Sequence, residues 1–225
     1  NTIILDASKK EEQKNLLLNL FKKIFLFIKS FFTTKQKEKY GLLDFQIRIK
    51  EQLLNFIENK KLKTIVHMPT GSGKTKTTIA SLFDFNSKSE FLKNNFLIWL
   101  AHSDELCDQA KDAFENLWRS YGSYKIPLIR LKNQTIDEIK QHQGGIIICT
   151  YSKLHRMRVN NNNARILEYI RNKSKFIVSD EAHMVPAETF KDSIEFITKL
   201  DYTFLIGLSA TPGGYYADQT EELSN

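Results

Sequence analysis

The chain has 225 residues, room for one sizeable α/β domain or one domain with a small helical appendage. Hydrophobic residues at 41% and charged residues at 26% are ordinary for a soluble globular protein, and a net charge of +7 points toward a polyanionic partner without selecting one face. The two cysteines, Cys107 and Cys149, form no CxxC pair and no histidines cluster, which argues against a zinc site or disulfide framework and fits a reducing, cytoplasmic setting. From 9 to 39, Leu17, Leu20, Phe21, Ile24, Phe27, Ile28 and Phe31 recur at three- and four-residue steps. That spacing predicts a helix or helix pair whose apolar stripe packs on the main domain or on a protein partner. An amphipathic segment lying on a membrane is the alternative, but Lys22, Lys23 and Lys29 interrupt 16–32 too often for a bilayer span. Tyr40-Gly41 breaks this segment, and a second helix is expected at 44–59.

Beyond it, short apolar runs alternate with helical stretches. Strands are expected at 64–68, 96–101, 126–131, 146–150, 176–180 and 204–208, each rich in Ile, Val, Leu and Phe without polar alternation. Such runs suit strands covered on both faces. Helices are expected at 74–85, 104–121 and 188–200, so the order implies a doubly wound, mainly parallel α/β sheet. The four asparagines at 160–163 read as an exposed loop.

Met68-Pro-Thr-Gly-Ser-Gly-Lys-Thr75, between a strand and a helix, is a phosphate loop. Gly71 and Gly73 let the backbone curl so that amide hydrogens, including those of Thr70, Ser72 and Lys76, can face phosphate oxygens. Lys74 supplies a cation for the outer phosphates, and the Thr75 hydroxyl is a candidate Mg²⁺ ligand. Met68 departs from the strict pattern, which opens with Gly or Ala. Asp180-Glu-Ala-His183 follows a buried strand: Asp180 suits Mg²⁺ held through its water shell, and Glu181 suits polarising an attacking water. Ser209-Ala-Thr211 again ends an apolar strand. His102, Ser103, Thr150 and Ser152 follow strand ends on the side where such sheets bind ligands, which makes them candidate nucleic-acid contacts. Helix capping is a full alternative for Ser103.

Together these three motifs resemble the first RecA-like, ATP-binding domain of superfamily 2 DEAD/DEAH-box-like helicases and translocases, over roughly residues 40–213. The wording is closest to the motor subunits of type I and type III restriction enzymes. Trp99-Leu-Ala-His-Ser-Asp-Glu-Leu-Cys-Asp-Gln-Ala110 resembles their motif Ia, with Ser103 where Arg is usual, and Cys149-Thr-Tyr-Ser-Lys-Leu154 resembles their later strand–loop motif. Gly213 replaces an Arg that many members carry.

The resemblance implies ATP and Mg²⁺ as cofactors and nucleic acid, DNA rather than RNA, as partner. It assigns Gln46 to the adenine edge, since an amide donates and accepts at once. A surface position on an amphipathic helix is the other reading of Gln46. DEAD-box RNA helicases place Pro four residues before that glutamine, where this chain has Leu42. The resemblance makes His183, Ser209 and Thr211 the coupling between hydrolysis and the nucleic-acid track. It also implies a second RecA-like domain, absent from this chain, with 214–225 as the start of the linker to it. Without that domain's arginine fingers, worth about 10³–10⁵ in rate in other nucleotidases, the chain is expected to bind Mg-ATP, hydrolyse it poorly and unwind nothing. The rival readings are an RNA helicase and a nucleotide-switched module that docks a protein partner.

Overall fold

The computed structural model describes residues 18, 21–26, 40–119, 125–160, 164–182, 187–198, 202–210 and 221–223, with backbone alone at 187–190 and 221–223. The chain divides into two compact units, 1–47 and 48–225. In the first, residues 21–26 (α1) are helical, and the side chains of Phe21, Phe25 and Leu26 are exposed. Helix α2 (Asp44–Glu58) begins in that unit and continues into the second.

The second unit is built on a parallel sheet. Its elements in chain order are β1 (Lys63–His67), α3 (Lys74–Ser89), a short 3₁₀ turn (Phe91–Lys93), β2 (Phe96–Ala101), α4 (Asp104–Arg119) and β3 (Leu128–Arg130). They continue with α5 (Ile136–Lys140), β4 (Gly145–Thr150), α6 (Tyr151–Val159), α7 (Ala164–Lys173), β5 (Ser174–Ser179), α8 (Ala187–Ile197), β6 (Phe204–Ser209) and β7 (Glu221–Leu223). The strand order is β3-β4-β2-β5-β6-β1-β7, and every pairing is parallel. Parallel strands need crossover connections, which the helices supply, so both faces of the sheet are covered. Strands β2, β4 and β6 are accordingly buried at every residue.

The anticipated strands all form, within two residues of their expected ends. The largest shortening is β3, which starts at Leu128 because Pro127 has no N–H to give the ladder; its carbonyl still accepts from Ile146 N at 2.8 Å. Three helices were not anticipated. The signal for α5 was present: Thr135 and Glu138 form a reciprocal capping box. Strand β7 lies in the stretch expected to be a linker and pairs with β1.

Aromatic packing locks α3 and α4 onto the sheet. Trp99 on β2 meets Phe114 edge-on at 5.3 Å, and Phe83 meets Phe114 and Trp118 at 5.9 and 4.9 Å. Truncating Phe114 to Ala in such surroundings costs about 3–5 kcal/mol. Lys50 of α2 is fully buried and paired with Asp84 of α3. Because Lys50 is fully buried, removing Asp84 takes away part of what compensates its charge and should lower stability.

Candidate functional site at the carboxyl edge of the sheet

Because all strands are parallel, their carboxyl ends share one edge, where open sheets of this kind bind ligands. Strands β5 and β6 are inserted between β2 and β1. Segments far apart in sequence therefore emerge side by side: the loop after β1, Asp180–Glu181 after β5, and Ser209 at the end of β6.

Strand β1 runs into the phosphate loop, whose sharp turns fall on glycines. Gly71 has φ 74° and Gly73 φ 86°, left-handed conformations that cost other residues about 1–2 kcal/mol. At Gly71 an added Cβ would meet nothing within 4 Å, so the demand there is conformational and not steric. Ser72 closes the turn by donating its N–H (3.1 Å) and its hydroxyl to the Pro69 carbonyl. Helix α3 then starts on Gly73 with no side-chain cap, and Thr77 N donates to Gly73 O at 2.9 Å. Its leading amides and the positive end of a 16-residue helix thus have no side-chain cap. That is what an anion-binding terminus requires. Thr70 and Gly71 are exposed, Ser72, Thr75 and Lys76 half-buried, and Lys74 buried.

Strand β5 supplies the acids. Asp180 N donates to Leu100 O at 2.8 Å, and Glu181 N donates to the Asp180 carboxylate at 3.0 Å. Asp180 is buried, Glu181 is 28% exposed, and Glu181 sits at φ 48°, an uncommon conformation for a non-glycine residue. Lys74 Nζ lies 3.7 Å from Glu181 Oε1, so the loop's cation and the candidate base face each other. Burial, and then the Glu181 charge, raise the Asp180 carboxyl from 3.8 to about 6. The Glu181 N–H, the Trp99 indole and Lys74 pull the other way.

The end of β6 is tied to the end of β1. Met68 N donates to Ser209 O at 3.1 Å, and His67 Nε2 donates to Ala210 O at 3.1 Å. Ser209 is buried beside the loop; His183 and Thr211 lie outside the described residues.

The neighbouring half of the edge belongs to β2 and β4, where Ala101 pairs with Thr150. His102, Ser103, Thr150 and Ser152 are thereby brought together. Two of their hydroxyls cap helices: Ser103 Oγ accepts from Leu106 N at 3.2 Å, and Thr150 Oγ1 accepts from Lys153 N at 3.1 Å. His102 and Ser152 are exposed. Between the two halves lies Tyr151, a residue the motif reading passed over. It is buried, with its hydroxyl 2.7 Å from Ser179 Oγ and 2.9 Å from the Asp180 carbonyl.

In the first unit, Gln46 is buried, and its amide oxygen accepts from Leu43 N at 2.8 Å, half of a capping box at the start of α2. Burial removes its reading as a surface residue. Burial also pushes the thiols of Cys107 and Cys149 up to about 11 and about 12, so neither is a thiolate at neutral pH.

The residues present fit a nucleotide with its cation. The uncapped helix end and Lys74 fit phosphates, while Thr75 and Asp180 offer one hydroxyl and one carboxylate. Among the described residues no group of three or more His, Cys, Asp or Glu can hold a metal ion. Mg²⁺ keeps several waters and is bound through one or two carboxylates plus phosphates, which is the kind of donor Thr75 and Asp180 would add. Among the described residues no helix is long and apolar enough to cross a membrane.

Residues 39–214 match the family described as "Type III restriction enzyme, res subunit". Among curated proteins none matches the sequence. The solved structures that share the fold include these three. The SWI2/SNF2 ATPase core of Sulfolobus solfataricus, described as in complex with double-stranded DNA, is 20% identical with a TM-score of 0.52, covering 76% of this chain and 32% of that one. The DUF1998 helicase MrfA, described as bound to DNA, is 15% identical with a TM-score of 0.58, covering 79% and 27%. The Hef helicase domain of Pyrococcus furiosus is 18% identical with a TM-score of 0.55, covering 78% and 37%. The chain thus spans about a third of the length of each of these three structures.

Proposed function

The chain belongs to the type III restriction enzyme res-subunit family, with the superfamily 2 helicase type of RecA-like ATPase domain, and from that premise we propose that it powers movement along DNA by hydrolysing Mg-ATP. The observation that carries this reading is the meeting of Lys74 and Glu181, 3.7 Å apart, in front of an uncapped helix. A loop that only turned would need neither the cation nor the strained acid.

In this reading the α3 amides and Lys74 bind and orient the phosphates. Thr75 and Asp180 hold the cation, and Glu181 takes a proton from the attacking water. Mg-ATP, when bound, brings the scissile phosphoanhydride and the charge that neutralises its leaving group. Ser209, with His183 and Thr211, carries the change at the nucleotide to the nucleic-acid edge. Gln46 is assigned to the adenine on the resemblance alone. His102 and Ser152, both exposed, contact the nucleic-acid backbone, while Ser103 and Thr150 shape the loops that present them. DNA is favoured over RNA by Leu42 in place of the proline of RNA helicases, and by the DNA in two of the structures sharing the fold. A role in restriction or antiphage defence rests on the family.

A second RecA-like domain completes the site in this reading. The test is ATP turnover by the longest form of the protein, with duplex DNA, single-stranded DNA or RNA added in turn. Stimulation by DNA and not by RNA supports the proposal. Equal response to RNA moves it to an RNA motor. Turnover indifferent to every nucleic acid, with Mg-ATP tightly bound, replaces it with a nucleotide-switched docking module, for which exposed Phe21, Phe25 and Leu26 are the candidate surface.

A further inference from the structure

Glu181 holds a backbone conformation that a side chain resists, at φ 48°. Such a residue persists only where its surroundings over-determine it. Here the constraint falls on the peptide that joins Asp180 to Glu181. Its N–H donates to the Asp180 carboxylate at 3.0 Å, and its carbonyl accepts from the Tyr151 hydroxyl at 2.9 Å. A phenol has one proton, so while Tyr151 donates to that carbonyl it accepts from Ser179 Oγ, 2.7 Å away. The order Ser179 hydroxyl, Tyr151 hydroxyl, Asp180 carbonyl is therefore fixed, and both ends of the peptide are pinned.

Tyr151 is also the first residue of α6, flanked by Thr150, which caps that helix, and by exposed Ser152. Tyr151 is 1% exposed, so a shift of this β4–α6 corner carries the phenol with it. The corner is where nucleic acid is proposed to bind, and the peptide it reaches aims the proposed base.

We propose that Tyr151 is the positioning residue through which occupancy of the β4–α6 corner sets the orientation of Glu181. It touches no reacting atom. This inference rests on the motor reading above and adds to it a specific route between the two halves of the edge.

Tyr151→Phe deletes the hydroxyl and keeps the ring. In the longest form of the protein, two ratios are measured. One is ATP turnover with and without saturating duplex DNA. The other is the affinity for a slowly hydrolysed ATP analogue with and without the same duplex, which reads the coupling between sites directly. The wild type should show both ratios well away from one. Tyr151→Phe should bring each to within about twofold of one while the analogue and the duplex still bind separately. Ser179→Ala removes the donor to the phenol and should give a partial loss of the same kind, which keeps the inference testable if Tyr151→Phe does not fold. A Tyr151→Phe protein that melts lower but keeps both wild-type ratios would show a purely structural hydroxyl and overturn the relay alone. Wild-type ratios of one overturn the motor reading, and the relay with it.

Discussion

The two halves of the sheet's carboxyl edge treat their helix starts in opposite ways. After β1, α3 begins on Gly73 with no side-chain cap, and two left-handed glycines and a buried lysine surround it. After β2 and β4, the corresponding helices begin on Ser103 and Thr150, whose hydroxyls are already engaged as caps. A side-chain cap is worth about 1 kcal/mol, so the first half forgoes local stability that the second half takes. The comparison separates residues we propose to hold a ligand from residues whose hydroxyls cap helices, although both sets stand at the same edge and both were candidates by position.

The largest expected effect falls on the ligand-ready half. Glu181→Gln should lower ATP turnover by about 10²–10⁴ with Mg-ATP binding retained, because it removes the proton acceptor while keeping the side chain's shape. Turnover within threefold or so of wild type would show that another group serves as base. Next comes Asp180. Its carboxyl is raised from 3.8 to about 6, so between those values the metal-free native protein holds more protons than the unfolded chain. Stability contributed by this group is therefore greatest at low pH and falls as pH rises toward about 6. Asp180→Asn should stabilise the metal-free protein by up to about 3 kcal/mol at neutral pH and by little near pH 4. Urea melts at the two pH values check this, and an equal effect at both would contradict it.

The fold-holding half gives smaller numbers. Ser103→Ala and Thr150→Ala should each cost about 1 kcal/mol in stability. His102→Ala and Ser152→Ala should cost less than about 0.5 kcal/mol and weaken nucleic-acid binding a few-fold, irrespective of sequence. Thermal melts and binding titrations of the four variants sharpen the comparison. It breaks if the caps prove dispensable for stability, or if the two exposed residues leave binding untouched.

How much of this was legible depends on the range of each signal. The strand runs and the phosphate loop are local patterns, and six strands with their parallel class follow from them. The pairing of Lys74 with Glu181 came only through motif order, since nothing in either segment encodes that β5 and β6 pass between β2 and β1. Helix α5 was readable from Thr135 and Glu138. Helix α6 was hidden because Thr150-Tyr-Ser looks like a loop until its first residue is seen as a cap. Capping by Ser103 was open from the start, and the structure shows it. The role of Tyr151 was not readable, since a tyrosine between two small hydroxyl residues does not announce the carbonyl it will meet.

The central claim is that the β1–α3 loop and Lys74 hold the phosphates of Mg-ATP. Titration calorimetry of Mg-ATP into the wild type and into Lys74→Ala tests it most directly, with a run lacking Mg²⁺ as reference. The account predicts a saturable wild-type isotherm that weakens at least about tenfold in Lys74→Ala, the loss expected for one charge-assisted contact. An affinity unchanged by the substitution and indifferent to Mg²⁺ would contradict it.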